Sequence, residues 1–402
     1  MDLFSRIVAL CMAISVTSAS YVRAASAVST STCPCQDPAH CKLVEAVPRQ
    51  EVLGFSTHPG KWKHYDWSKL TTVAVFREWD SDALEMMCYA HSRNVRVVLV
   101  GFFDVANLTH SDIVDAWVKN MLTQAVQYHA DGINIDVEQP IPQGHKKEAE
   151  LLVQLVKQTR DTFHARFPYS QVTFDVAWSP DCVDRRCYDA KGIADACDFL
   201  VVMSYDEQGQ IYKPAPCIAG ANSGPQQTTA GLVGYLKLGI SANKLVLGQP
   251  WYGYDYECIE PKNATAGGSA LDVPPASGVC HIRAVPYQGA YCSDAAGRQR
   301  EFWWVTRMLR GNASNPGRHW DVASLSPYFD FVDQATGQRH QVWYDDPISL
   351  AIKYELVQKM RLRGLAFWGT DFLDYTGTEE ARAEAVVMWD TVNVRLSPPG
   401  GE

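Results

Sequence analysis

The chain has 402 residues, 47% of them hydrophobic, and a formal net charge of -9. That suffices for a packed core in one large or two ordinary domains. The mild acidity and the lack of a basic stripe exclude nucleic acid as a partner class. Beyond the first residues no stretch is apolar and long enough to be a membrane helix.

Arg6 precedes an apolar run from Ile7 to Val16 and then small residues up to Ala25, the pattern of a secretory signal over residues 1–25, with cleavage near Ala19 or Ala25. Residues 26–50 read as a cysteine-containing arm, irregular over Cys33–Val47. Eight strand-like runs follow: Glu51–Thr57, Leu70–Phe76, Val95–Phe103, Gly132–Glu138, Gln171–Trp178, Phe199–Tyr205, Lys244–Trp251 and Gly364–Trp368. Most are short, apolar and bounded by turn residues. Helical spacing of apolar residues marks Asp82–Ser92, His110–Tyr128, Lys146–Arg166, Gln227–Leu238, Pro347–Arg363 and Thr378–Val392 between and after them. Thr109 with Asp112 resembles an N-terminal cap. Repeated strand–helix alternation predicts an α/β fold, a (β/α)₈ TIM barrel, over an open doubly wound sheet, because no glycine-rich phosphate fingerprint follows an early strand. Residues 51–251 carry strands one to seven. Residues 252–343, with Cys258, Cys280 and Cys292, read as a disulfide-containing α+β insertion before strand eight, and residues 344–402 complete the barrel and add a C-terminal helix.

Of twelve cysteines, Cys11 would leave with the signal, so an odd number remains and at least one thiol is free. Cys88, inside an apolar helical pattern, is the candidate. No metal or cofactor is expected: the Cys33-Pro34-Cys35 spacing is too tight for zinc and no paired histidines follow. Asn107, Asn263 and Asn312 each open an N-x-Ser/Thr sequon, as expected for a secreted glycoprotein. A monomer is the favoured state.

The chemistry concentrates in residues 131–138, Asp-Gly-Ile-Asn-Ile-Asp-Val-Glu. A strand's period of two puts Ile133, Ile135 and Val137 on one face and Asn134, Asp136 and Glu138 on the other. Acids at a strand end can simply face water, but strand interiors are depleted in Asp and Asn, so a polar row this long points to catalysis. Closely spaced carboxylates repel, which raises the pKa of one, and a carboxyl still protonated near neutrality can act as a general acid. Barrel active sites lie at the C-terminal ends of strands. There Glu138 would meet Tyr205 and Asp206 from strand six, Gln249, Trp251 and Tyr252 from strand seven, and Trp368 from strand eight. Acids, a tyrosine and tryptophan faces suit a sugar.

These segments resemble glycoside hydrolase family 18, whose fourth strand carries D-G-x-D-x-D-x-E. Val202-Met203-Ser204-Tyr205-Asp206 is similar to the family's sixth-strand motif. Leu247-Gly248-Gln249-Pro250-Trp251-Tyr252-Gly253 matches its seventh, and Tyr344-Asp345-Asp346-Pro347 with Gly364–Trp368 its approach to the eighth. The resemblance implies a lysosomal hydrolase, reached by the secretory pathway, that acts on chitobiose-containing oligosaccharides. It would cleave the β-1,4 bond of the GlcNAc–GlcNAc core of free N-linked chains with retention, through the substrate's own 2-acetamido group, from the reducing end. Other outcomes on this fold are an endo-acting chitinase-like hydrolase and a non-catalytic chitin-oligosaccharide lectin. The resemblance also implies roles: Glu138 as acid then base, Asp136 against the acetamide nitrogen, Tyr205 on its carbonyl oxygen, Asn134, Asp206, Gln249 and Trp251 in binding, and Trp368 as the floor beneath the ring. Asn134 departs from the pattern, because the family has an aspartate there that shares protons with the next one.

Overall fold

The structure, a computed structural model, describes residues 32–45, 49–210, 216–259, 278–311 and 317–392. The signal segment, Asn263 and Asn312 lie outside the described residues, whereas Asn107 sits half-exposed on the turn after the third strand.

Eight parallel strands close into a barrel: β1 (Glu51–Ser56), β2 (Thr72–Val75), β3 (Arg96–Gly101), β4 (Gly132–Ile135), β5 (Gln171–Ala177), β6 (Phe199–Met203), β7 (Leu245–Pro250) and β13 (Gly364–Trp368), in the order β1-β13-β7-β6-β5-β4-β3-β2. Their β-branched and aromatic residues are buried on both faces because helices cover the outside. The alternation sorts them. Leu53, Phe55, Ala74, Val98, Phe199, Val201, Val246 and Ala366 fill the barrel interior, while their neighbours, such as Val52, Val73, Val97, Leu200 and Leu247, pack under the helices. Local chemistry sets the helix starts. Asp80 accepts from the Ala83 amide at 2.9 Å ahead of Ser81–Ser92, and Asp346 forms a reciprocal capping box with Ser349 ahead of Pro347–Lys359. Helix Ser111–Tyr128 starts two residues past Thr109, with His110 at the cap and no side-chain capping bond, because a short turn at Val105–Asn107 precedes it.

Between β7 and β13 the chain forms a second, antiparallel sheet. It comprises β8 (Tyr252–Glu257), β9 (Gly297–Glu301), β10 (His319–Asp321), β11 (Ser326–Val332) and β12 (Arg339–Trp343), in the order β10-β11-β12-β8-β9, with a helix at Phe302–Gly311. That helix and the short one at Ala190–Ala196 were not expected from the sequence. Among the described residues no helix is long and apolar enough to cross a membrane.

The disulfides are Cys33–Cys41, Cys35–Cys88, Cys182–Cys187, Cys217–Cys292 and Cys258–Cys280. Cys88 is therefore not the free thiol. Among the described residues Cys197 is: it is buried at the end of the short helix, and burial pushes its thiol up to about 12. Cys35–Cys88 pins the N-terminal arm to the helix after β2. The first acid of the octapeptide holds the same arm, since the carboxylate of buried Asp131 accepts from the Val44 amide at 2.7 Å, from the Val97 amide at 2.6 Å, and lies 2.8 Å from His91 Nε2.

Candidate active site

The polar row of β4 points into the barrel, as its period requires, and Ile133, Ile135 and Val137 are buried under the helices. Asn134 is wholly buried and its amide donates to Thr173 Oγ1 at 3.0 Å and to Asp175 Oδ1 at 2.8 Å, both on β5. Asp136 is 7% exposed, its amide donates to the Gly101 carbonyl at 2.9 Å, and its Oδ1 has no donor. Burial drives the Asp136 carboxyl well above the usual range, the charges of Glu138 and Asp175 add to this, and Arg186 opposes it. Asp175 is pushed up to about 8 by burial, against its hydrogen bond from Asn134.

Glu138, just past the strand, has a side chain 54% exposed, so it is the member of the row that a substrate can reach. Its Oε2 accepts from Arg186 Nη1 at 2.8 Å, and Arg186 Nη2 donates to Asp184 at 3.0 Å. Arg186 is held on a loop closed by Cys182–Cys187, where Cys182, Asp184 and Arg185 take left-handed backbone conformations (φ 55°, 54° and 61°). The loop is fastened to the segment after β4: the Cys187 amide donates to Ile141 O at 3.0 Å, and the Tyr188 hydroxyl to Val137 O at 3.1 Å and Gln139 O at 2.6 Å.

Tyr205 and Asp206 follow β6. Burial and then the carboxylates of Asp175, Glu138, Asp136 and Asp206 push the phenol of Tyr205 well above its usual range. Asp206 has φ 55°, its amide donates to Asn222 Oδ1 at 2.7 Å, and its Oδ1 accepts from the hydroxyls of Tyr252 at 2.6 Å and Tyr254 at 2.9 Å. Asp206 is exposed as a residue, and desolvation of its carboxyl raises it to about 6, against those two hydrogen bonds. Trp368 is half-buried and packs edge-on to Phe76 at 4.5 Å and tilted to Phe55 at 5.2 Å, so its ring roofs the barrel interior. The Trp368–Gly369 peptide is cis.

Two expected binding residues do not face this mouth. On β7 the interior position is Val246, so the odd-numbered residues turn toward the helices. Gln249 is fully buried there, donating to the carbonyls of Ser204 and Gly248 at 3.0 Å. Trp251 is 0% exposed, stacked on Phe367 at 4.3 Å, with Trp389 at 5.1 Å and its indole nitrogen on Tyr354 at 3.2 Å. Neither has a face for a sugar. Sequence reasoning missed Asp175, Arg186 and Tyr254. For Arg186 a signal existed, because two cysteines five residues apart force a tight loop directly after a barrel strand.

The arrangement provides one reachable acid paired with a guanidinium, one buried acid whose carboxyl burial raises, a neighbouring phenol and an aromatic roof. Comparisons with known proteins agree with it. Residues 71–372 match the model of glycosyl hydrolases family 18. The chain is 44% identical to human di-N-acetylchitobiase over 90% of this chain and 89% of the human protein. It is 41% identical to probable di-N-acetylchitobiase 2 of Dictyostelium discoideum over 90% of each. Among solved structures, the family-18 chitinase of Cycas revoluta in complex with (GlcNAc)3 superposes with a TM-score of 0.62 at 20% identity, over 85% of this chain and 99% of that one, a likeness of fold. The chain belongs to glycosyl hydrolases family 18 and is a glycosidase.

Proposed function

We propose that the protein hydrolyses the β-1,4 bond of GlcNAc–GlcNAc (chitobiose) units in free N-linked oligosaccharides, with retention and from the reducing end, in the lysosome. The observation that carries this is the division of labour along β4. Glu138 reaches solvent, while Asp136 on the same face is buried, and burial raises its carboxyl above the usual range. A buried, reluctantly ionised carboxyl is poorly suited as a nucleophile on C1, but it suits a hydrogen bond to an amide nitrogen whose positive charge is developing. The attacking atom is then the substrate's acetamide oxygen, the route by which this class dispenses with a second carboxylate. Glu138 protonates the leaving oxygen and later takes a proton from water. Between those steps it is a carboxylate, and Arg186 at 2.8 Å balances its charge. Tyr205 donates to the acetamide oxygen, Asp206 takes a sugar hydroxyl, and Trp368 lies beneath the ring. The relatives named di-N-acetylchitobiase favour chitobiose over longer chitin as the substrate.

Identifying the products of a trisaccharide labelled at its reducing end tests this. Labelled GlcNAc with unlabelled disaccharide is expected. A labelled disaccharide would contradict the direction, mixed internal cleavage of longer chains would favour the endo-acting reading, and binding without hydrolysis would favour a lectin.

A further inference from the structure

The strand register and the buried side chains around Asn134 assign a task to a residue that the proposed mechanism leaves unused. β4 and β5 pair Asn134 with Thr173 and Ile135 with Phe174, and Asp136 and Asp175 are the next residue of each chain segment. Both carboxylates face the interior, and Asp175 is 2% exposed. Two buried acids on neighbouring strands cannot both be charged at ordinary cost. Asn134 leans to one of them. Its amide donates to Asp175, while its own Oδ1 and the Oδ1 of Asp136 are buried acceptors with no donor among the described residues.

We propose that Asp136 and Asp175 titrate as a pair holding a single proton, and that substrate binding places this proton on Asp175 so that Asp136 meets the acetamide as a carboxylate. One O–H bond breaks on Asp136 and one forms on Asp175, with no other reactant. Asp175 is thus a positioning residue, supplying from β5 the carboxyl that position 134 lacks. The inference rests on the reading of Asp136 above. The charged and titratable groups that act on the pair are Glu138 just past β4, Arg186 and Tyr188 from the segment after β5, and Tyr205 after β6. Asp175 itself is raised to about 8.

The test is the kcat–pH profile on a fluorogenic chitobioside for wild type, Asp175→Asn and Asp175→Asn/Asn134→Asp. Asp175→Asn keeps the acceptor for Asn134 but cannot take the proton. Asp136 then loses a repelling neighbour, so the acid limb is expected to move down by about one pH unit or more, with KM changed less than about threefold. Restoring a carboxyl at 134 should move the limb back toward wild type. An unchanged limb in Asp175→Asn, or an equal displacement in the double variant, overturns the proposal. With a chito-oligosaccharide bound in the inactive Glu138→Gln background, an infrared reading of protonated carboxyls at mildly acidic pH decides it without turnover: Asp175→Asn should lose one carboxyl's absorbance and Asp136→Asn should keep it. If Asp175→Asn does not fold, the Asp136→Asn spectrum decides alone, because loss of the band there places the proton on Asp136. If wild type does not cleave the GlcNAc–GlcNAc bond of chitobiose, the proposed function fails while the spectra still judge the pair.

Discussion

Glu138→Gln is expected to lower kcat by about 10³-fold, within the range for loss of a general acid–base group, while chito-oligosaccharides still bind. The amide keeps the shape of the side chain and can still accept from Arg186 Nη1 through its oxygen, and Asp184 continues to hold Nη2. Packing is therefore preserved and the loss falls on proton transfer. Steady-state kinetics on a fluorogenic chitobioside, with calorimetric binding of a trisaccharide, reads both. Near-normal turnover would move the acid elsewhere, and Asp206 would be the next group to examine, because its carboxyl is raised to about 6 at the same mouth.

Lys353→Met is expected to destabilise the protein by about 3–5 kcal/mol, the usual cost of removing one partner of a buried ion pair. Lys353 is 0% exposed, paired with Asp345 and bonded to the Ser223 carbonyl at 2.9 Å. Without it Asp345 keeps one bond from Ser349, at 2.7 Å, and its Oδ2 is already without a partner. The effect should reach the site, because Ser223 Oγ donates to the Ser204 carbonyl at 2.7 Å, directly before Tyr205. The urea midpoint measures the loss. Lys353→Met/Asp345→Asn should lose less than the single variant, because it strands no charge. A single variant within about 1 kcal/mol of wild type would contradict the assignment of the pair as structural.

The barrel was legible because its signals are local. Apolar runs of strand length alternate with helices whose periodicity and caps can be read residue by residue, and the four motifs fall at strand ends. Parity along a strand was legible where polar and apolar residues alternate cleanly, as from Ile133 to Glu138. It failed on β7, where Gln249 and Trp251 share a face with Leu247 that turns to the helices. The aromatic character of Trp251 suggested a sugar platform, but only the register tells which side of the wall it occupies. Asp175 and Arg186 could not be found from the octapeptide, because they come from the next strand and its loop and gain meaning only beside Asn134 and Glu138. Cys88 failed for a similar reason: pairing depends on Cα geometry across 53 residues of chain, which a helical pattern does not encode.

The central claim is that the substrate's acetamide attacks its own anomeric carbon while Glu138 handles the proton. It is tested most directly with aryl glycosides whose N-acetyl group carries zero to three fluorines. Fluorine withdraws electrons from the carbonyl oxygen without altering the leaving group, so kcat should fall with each one, by at least about tenfold across the series. A flat series would contradict the account and point to a carboxylate of the protein as the nucleophile.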